Sequence, residues 1–256
     1  MSNDTVVFEQ QDDIAIIRLN RPEVHNALND AAMSKLEEIQ ARIYGDNGVK
    51  VVILTGTGRE SFCAGGDLKY FAAFSTREQA LEMSRRMQKI LDRFWSGDKV
   101  VIAAVNGRAL GGGCEILTAC HFRIAAEHAI FSFRQAANGV ITGWGGGVRL
   151  FKLLGRSRAL KLLLTSEDLA AADALRQGLV DRVVPNDQLP DSAMSLARMI
   201  TANSAAAIGA FLEIARRIDT DGYNAAVQTE TELFGDLWMG KDFRNWLNNF
   251  LNNDQK

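Results

Sequence analysis

Cysteine and histidine are scarce in this chain, with three of each in 256 residues. Cys63, Cys114 and Cys120 make neither an even disulfide set nor a paired metal-ligand spacing. This argues against a disulfide scaffold and a metal site, and for a reducing compartment with buried thiols. A dominant charge is missing too. The chain has 29 Lys and Arg against 31 Asp and Glu, a formal net charge of −2. No positive field gathers phosphate backbones, so nucleic acid is not an expected partner. The basic pairs Arg85-Arg86 and Arg216-Arg217 read as solvated helix faces. No apolar run approaches the roughly 20 residues that a bilayer span needs. The opening MSNDTVVFEQQDD also lacks a charged-then-apolar leader pattern. No membrane partner and a cytoplasmic location are the resulting expectations. A dinucleotide fingerprint and a Gly-x-x-x-x-Gly-Lys-Ser/Thr phosphate loop are likewise absent.

What is present is an ordinary globular composition, 47% hydrophobic and 23% charged, long enough for one large domain or two small ones. Short β-branched runs at Thr5 to Phe8, Ile14 to Leu19, Val51 to Leu54, Val100 to Val105, Phe122 to Ala125 and Ile130 to Phe133 predict strands. Several are apolar throughout and therefore covered on both faces. Leu28, Leu36, Ile39 and Ile43 fall on one helical face, with Asn29 as N-cap and Leu28 stapled to Met33. A second helix is predicted over Thr76 to Trp95, and the chain from about Asp187 reads as helical. There Ala207, Phe211, Ile214 and Ile218 form a stripe, and Phe243, Trp246, Phe250 and Leu251 form another, for which core packing is the first expectation and contact with a neighbouring copy the alternative. An α/β body over 1–185 and a helical C-terminal part over 186–256 follow, with VVPNDQLP as the seam.

The chemistry concentrates where glycines meet acids. At 109–116 the chain reads ALGGGCEI after the strand VVIAAV and the turn NGR, which describes a strand, a tight loop and a helix start. Backbone N–H groups at such a junction lack helical partners, and the aligned peptide dipoles favour negative charge. Glu115 lies three residues beyond Gly112, so a carboxylate stands beside those donors. A glycine cluster that only serves packing, and an acid that only complements the helix dipole, remain open from these residues alone. A second loop, SFCAGGDLK at 61–69, also leaves a buried strand.

Together with LNRPEVHNAL at 19–28 and NGVITGWGGGVRL at 138–150, these loops closely resemble the enoyl-CoA hydratase/isomerase family, the crotonase superfamily, in order from Val7 to Pro185. The resemblance implies an α/β, crotonase-like spiral of repeated ββα turns with a helical C-terminal oligomerisation region, assembled as a homotrimer or a dimer of trimers. It implies an acyl-CoA substrate whose thioester oxygen lies between the backbone N–H groups of Gly66 and Gly112. Ala64, Gly66, Asp67, Leu68, Lys69 and Gly112 would line the CoA thioester, with Lys69 a candidate for a phosphate. No separate cofactor and no metal are implied, CoA being part of the substrate.

Glu115 matches the first of the two catalytic glutamates of the hydratases. The second position holds Gln135, and neighbouring Arg134 and Asn138 supply no carboxylate. An amide positions water but is neither a base nor an acid near neutral pH. A hydratase-type lyase is the leading expectation. A decarboxylase of methylmalonyl- or ethylmalonyl-type CoA thioesters is the alternative, because loss of carbon dioxide creates an enolate without a base, and Trp144-Gly145-Gly146 is similar to such members. A catalytically weak acyl-CoA binder is the third. A serine protease of the same architecture is disfavoured, since none of His25, His121 and His128 falls where it would activate a nucleophile. His121 is expected at a helix C-terminus, as a cation suited to the dipole.

Overall fold

The computed structural model describes residues 4–253, which divide into two compact units on either side of the Arg198–Met199 bond. The first unit opens with β1 (Val6–Gln11) and β2 (Ile14–Leu19), paired antiparallel, followed by α1 (Asp30–Gly45). The Asn29 side chain accepts the Ala32 N–H at the start of α1, as its sequence position predicts. The chain continues through β3 (Val51–Gly56), β4 (Ser61–Cys63), α2 (Leu68–Phe71), α3 (Arg77–Ser96), β5 (Val100–Val105), β6 (Arg108–Leu110) and α4 (Gly112–Leu117). Next come β7 (Phe122–Ala126), β8 (Ile130–Ser132), α5 (Gly146–Leu154), α6 (Arg156–Thr165), β9 (Leu169–Ala170), α7 (Ala171–Gln177), β10 (Arg182–Val184) and α8 (Leu189–Thr201).

Two sheets result. The larger runs β1-β2-β3-β5-β7-β10 and is parallel from β2 onward. The smaller runs β4-β6-β8-β9, with only β9 antiparallel. Each of the pairs β3-β4, β5-β6 and β7-β8 gives its first strand to the larger sheet and its second to the smaller, with helix following. The chain therefore winds as a spiral of ββα turns. Every residue of β3 and β5 is buried, the outcome expected of uninterrupted apolar runs. All three cysteines are buried and unpaired with one another. Thr76 opens α3 with a capping box to Gln79. Among the described residues no helix is long and apolar enough to cross a membrane.

The second unit contains α9 (Ala205–Thr220), α10 (Tyr223–Met239) and α11 (Lys241–Asn253). Phe234, Trp238, Phe243, Trp246 and Phe250 stack in succession with ring centroids 4.4–5.7 Å apart. The expected core packing of the α11 stripe does not occur within this unit: Trp246, Phe250 and Leu251 are about half exposed. The rings pack against one another along α10 and α11. Phe211 and Ile218 of the α9 stripe are exposed as well. The basic pairs are surface groups, as expected. Arg86 meets Asp30 and Glu37, and Arg216 and Arg217 meet Glu213.

Candidate active site

The spiral places the ends of β4 and β6 side by side, and with them the two glycine loops. Gly65 has φ +92°, a left-handed conformation, and a Cβ built there would lie 2.8 Å from the Gly112 nitrogen. A Cβ on Gly113 would lie 2.0 Å from the Cys63 carbonyl oxygen. Only hydrogen at these positions lets the loops touch. The N–H of Gly66 and the N–H of Gly112 have no acceptor among the described residues. Aromatic rings lie against both glycines. A Cβ on Gly66 would fall on Phe71, and one on Gly112 would lie 2.3 Å from the Trp144 ring.

Glu115 sits on α4, only 2% exposed. Its Oε1 accepts from Gln135 Nε2 at 3.1 Å and from Gly143 N at 3.3 Å. Its Oε2 accepts from Trp144 N at 2.7 Å and from Gly146 N at 3.0 Å. The carboxylate thus occupies the N-terminus of α5, where orphan N–H groups and the helix dipole stabilise an anion. Burial pushes its pKa above the ordinary glutamate value, and the four donors pull it partway back. A Cβ on Gly146 would lie 2.4 Å from Glu115 Cγ, so glycine is required there for the carboxylate to reach the helix end.

The loop that supplies those donors is itself held. Buried Arg149 donates through Nη2 to the Trp144 carbonyl at 2.6 Å, through Nε to Thr118 Oγ1 at 3.3 Å, and through Nη1 to Asp92 at 3.3 Å. From α3, Ser84 Oγ and Gln88 Nε2 donate to the Gly143 carbonyl at 2.5 and 3.0 Å. Trp144 directs its indole N–H to Met83 Sδ at 3.3 Å. Arg149, Ser84 and Gln88 were not legible as parts of this site. The run Gly-Trp-Gly-Gly-Gly was their only sequence signal, as a second helix start rich in free N–H groups.

Gln135, predicted beside Glu115, is there and buried, and its Oε1 has no partner. Asp67 pairs with Arg21 at 2.8 Å and accepts the N–H groups of Lys69 and Tyr70. These contacts favour its ionised form against a desolvation that opposes it, and its pKa is lowered. Its carboxylate is thereby committed to ordering the start of α2. Ala64 is half-buried, and Leu68 and Lys69 are exposed. His121 departs from its expected role as a cation. Its Nδ1 accepts the Val101 N–H at 3.0 Å, and burial, with Arg123 nearby, depresses its pKa to about 4. The ring is neutral because its lone pair serves β5. No group of three His, Cys, Asp or Glu among the described residues is placed to hold a metal ion.

The family pattern described as Enoyl-CoA hydratase/isomerase matches residues 9–256. A short-chain-enoyl-CoA hydratase of Clostridium acetobutylicum is 34% identical over 251 residues, 98% of this chain and 96% of that protein. An (E)-benzylidenesuccinyl-CoA hydratase of Thauera aromatica is 39% identical over 197 residues, 76% of this chain and 75% of that protein. The crystal structure of an enoyl-CoA hydratase from Bacillus anthracis superposes with a TM-score of 0.93 at 32% identity, covering 97% of this chain and 96% of that one.

Proposed function

The chain belongs to the enoyl-CoA hydratase/isomerase family, and from that premise we propose that it adds water across the conjugated double bond of an enoyl-CoA thioester. In this reading the thioester oxygen is received by the Gly66 and Gly112 amides. Water bonds through its oxygen to C3 while Glu115 takes one of its protons, and the π electrons move onto the thioester oxygen as an enolate. Glu115 then returns that proton to C2. One water is consumed and the carboxylate is regenerated. Fixed N–H donors stabilise the developing oxyanion more than the ground-state carbonyl, and each contributes about 3 kcal/mol to lowering the barrier. A single acid serves both proton steps because Gln135 stands where a second glutamate would.

The observation that carries this reading is a pair of partnerless amides on adjoining loops, with a buried carboxylate three residues from one of them. The CoA moiety is assigned to Ala64, Asp67, Leu68 and Lys69. Asp67 acts there by ordering the turn, and Lys69 offers its ammonium group to a phosphate. No cofactor or metal is required beyond the CoA of the substrate. Assembly as a homotrimer or a dimer of trimers belongs to the same proposal, since the exposed aromatic ladder of α10 and α11 is apolar surface of the kind a second copy covers.

The test offers the protein crotonyl-CoA, a longer enoyl-CoA, and methylmalonyl- and ethylmalonyl-CoA, with products followed by mass. Gain of one water by an enoyl-CoA is the expected result. Release of carbon dioxide in its place would make the protein a decarboxylase, and binding without turnover of any of them a passive acyl-CoA binder. Sedimentation of the free protein reads the assembly.

A further inference from the structure

The Gln135 side chain carries a polarity that the family assignment does not determine. It is 9% exposed, its Nε2 donates to Glu115 Oε1 at 3.1 Å, and its Oε1 is buried with no partner. The orientation of the amide is fixed by its neighbour. A carboxylate only accepts, so the nitrogen must face Glu115 and the oxygen must face away. Glu115 in turn is held as an acceptor by three further N–H groups. Reversing the amide would set its oxygen against the carboxylate. Gln135 therefore carries a buried, unpartnered acceptor next to the Glu115 carboxylate, with one of its two amide hydrogens committed to that carboxylate.

We infer that Gln135 selects the acyl group: its Oε1 takes the hydrogen of a hydroxyl at the β-position, or of the water that becomes that hydroxyl, and rejects a β-carboxylate. The inference rests on the assignment of Glu115 and the glycine loops to an acyl-CoA site. A buried acceptor without a donor is unfavourable, so a hydroxyl that satisfies it gains, whereas a carboxylate brings two more acceptors and a negative charge toward one already present. This sets a neutral 3-hydroxyacyl or enoyl thioester apart from a malonyl-type one.

Three thioesters of one skeleton test it. 3-Hydroxy-2,2-dimethylpropanoyl-CoA carries the hydroxyl, 2,2-dimethylbutanoyl-CoA a methyl in its place, and dimethylmalonyl-CoA a carboxylate. None has an α-hydrogen, so none can lose water during the measurement. Calorimetry on the wild-type protein is expected to show the hydroxy ligand bound about tenfold more tightly than the methyl one, and the carboxylate ligand at least tenfold more weakly than the methyl one. In Gln135→Met the hydroxyl preference falls to within twofold while affinity for the methyl ligand is kept, which also reports an intact fold. The inference is overturned if the carboxylate ligand binds best or loses carbon dioxide, if the wild type shows no hydroxyl preference, or if Gln135→Met retains it. Butyryl-CoA separates the two levels. If it fails to bind, the acyl-CoA assignment itself falls, whereas binding of it without hydroxyl discrimination among the test ligands removes only the role of Gln135.

Discussion

Glu115→Gln probes the point where structure and chemistry meet, because the carboxylate is at once the proposed base and the anion at the N-terminus of α5. Four N–H groups converge on it, from Gln135, Gly143, Trp144 and Gly146. An amide has one acceptor oxygen and places an NH2 where the other oxygen stood. If the new oxygen keeps Trp144 and Gly146, the NH2 faces Gly143 and Gln135. Gln135 turns its amide so that its unpartnered oxygen accepts and its NH2 takes the place where that oxygen had no partner, which leaves Gly143 N as the one additional unsatisfied group. One unsatisfied donor costs about 1–3 kcal/mol, and two charge-assisted bonds reduced to neutral ones cost about 1 kcal/mol each. The loop is partly solvated, so the expected net loss of stability is about 2–4 kcal/mol. Turnover is expected to fall by about 10² to 10⁴, the usual contribution of a positioned acid or base. Urea unfolding and the loss of enoyl-thioester absorbance measure the two effects separately. A variant as stable as the wild type would refute the capping account, and one with undiminished turnover would refute the catalytic one.

Gly146→Ala puts a methyl 2.4 Å from Glu115 Cγ, and the displaced carboxylate should lower kcat at least tenfold with about 1–3 kcal/mol of overpacking; wild-type kcat would contradict the geometry. Because burial raises the Glu115 pKa, the proton acceptor is lost on the acid side, and kcat/KM should rise with pH through a value above the ordinary glutamate range. An acid limb at or below that range would count against Glu115 as base. Gln135→Glu adds the second acid and is expected to raise hydration several-fold, the two carboxylates sharing a proton; an intact variant without any gain would show that the pocket has moved away from water chemistry. His121 is neutral in the fold, with a pKa of about 4, against about 6.5 in the unfolded chain. Its stabilising contribution is present above pH 6.5 and is lost as the unfolded state takes up a proton between about 6.5 and 4, roughly 3 kcal/mol in all. His121→Asn keeps an acceptor for Val101 and should flatten the urea-midpoint profile across that window; an unchanged slope would remove His121 as its cause.

The parts of this molecule that were legible in the sequence share one feature: each is a local device with a strong residue signature. The buried strands β3 and β5 announced themselves as unbroken apolar runs, Asn29 as an N-cap, and the loops at Gly66 and Gly112 as glycines between a strand and an acid. The smaller sheet was mostly missed. Strands β4 and β6 have three residues each, too few to establish a period, and they exist because the larger sheet positions their neighbours. Site partners distant in sequence were missed for the same reason. Arg149 is 34 residues from Glu115 and acts through the Trp144 carbonyl, and nothing in the local pattern connects them. The C-terminal stripes were correctly read as apolar, but apolar periodicity identifies a face without saying what covers it.

The central claim is that amides from two loops hold one thioester oxygen beside one carboxylate, and a crystal structure with butyryl-CoA bound tests it most directly. The expected complex has the thioester oxygen within about 2.7–3.2 Å of both Gly66 N and Gly112 N, with the acyl α- and β-carbons facing Glu115. An oxygen held by only one of those amides, or an acyl chain directed away from Glu115, would contradict it.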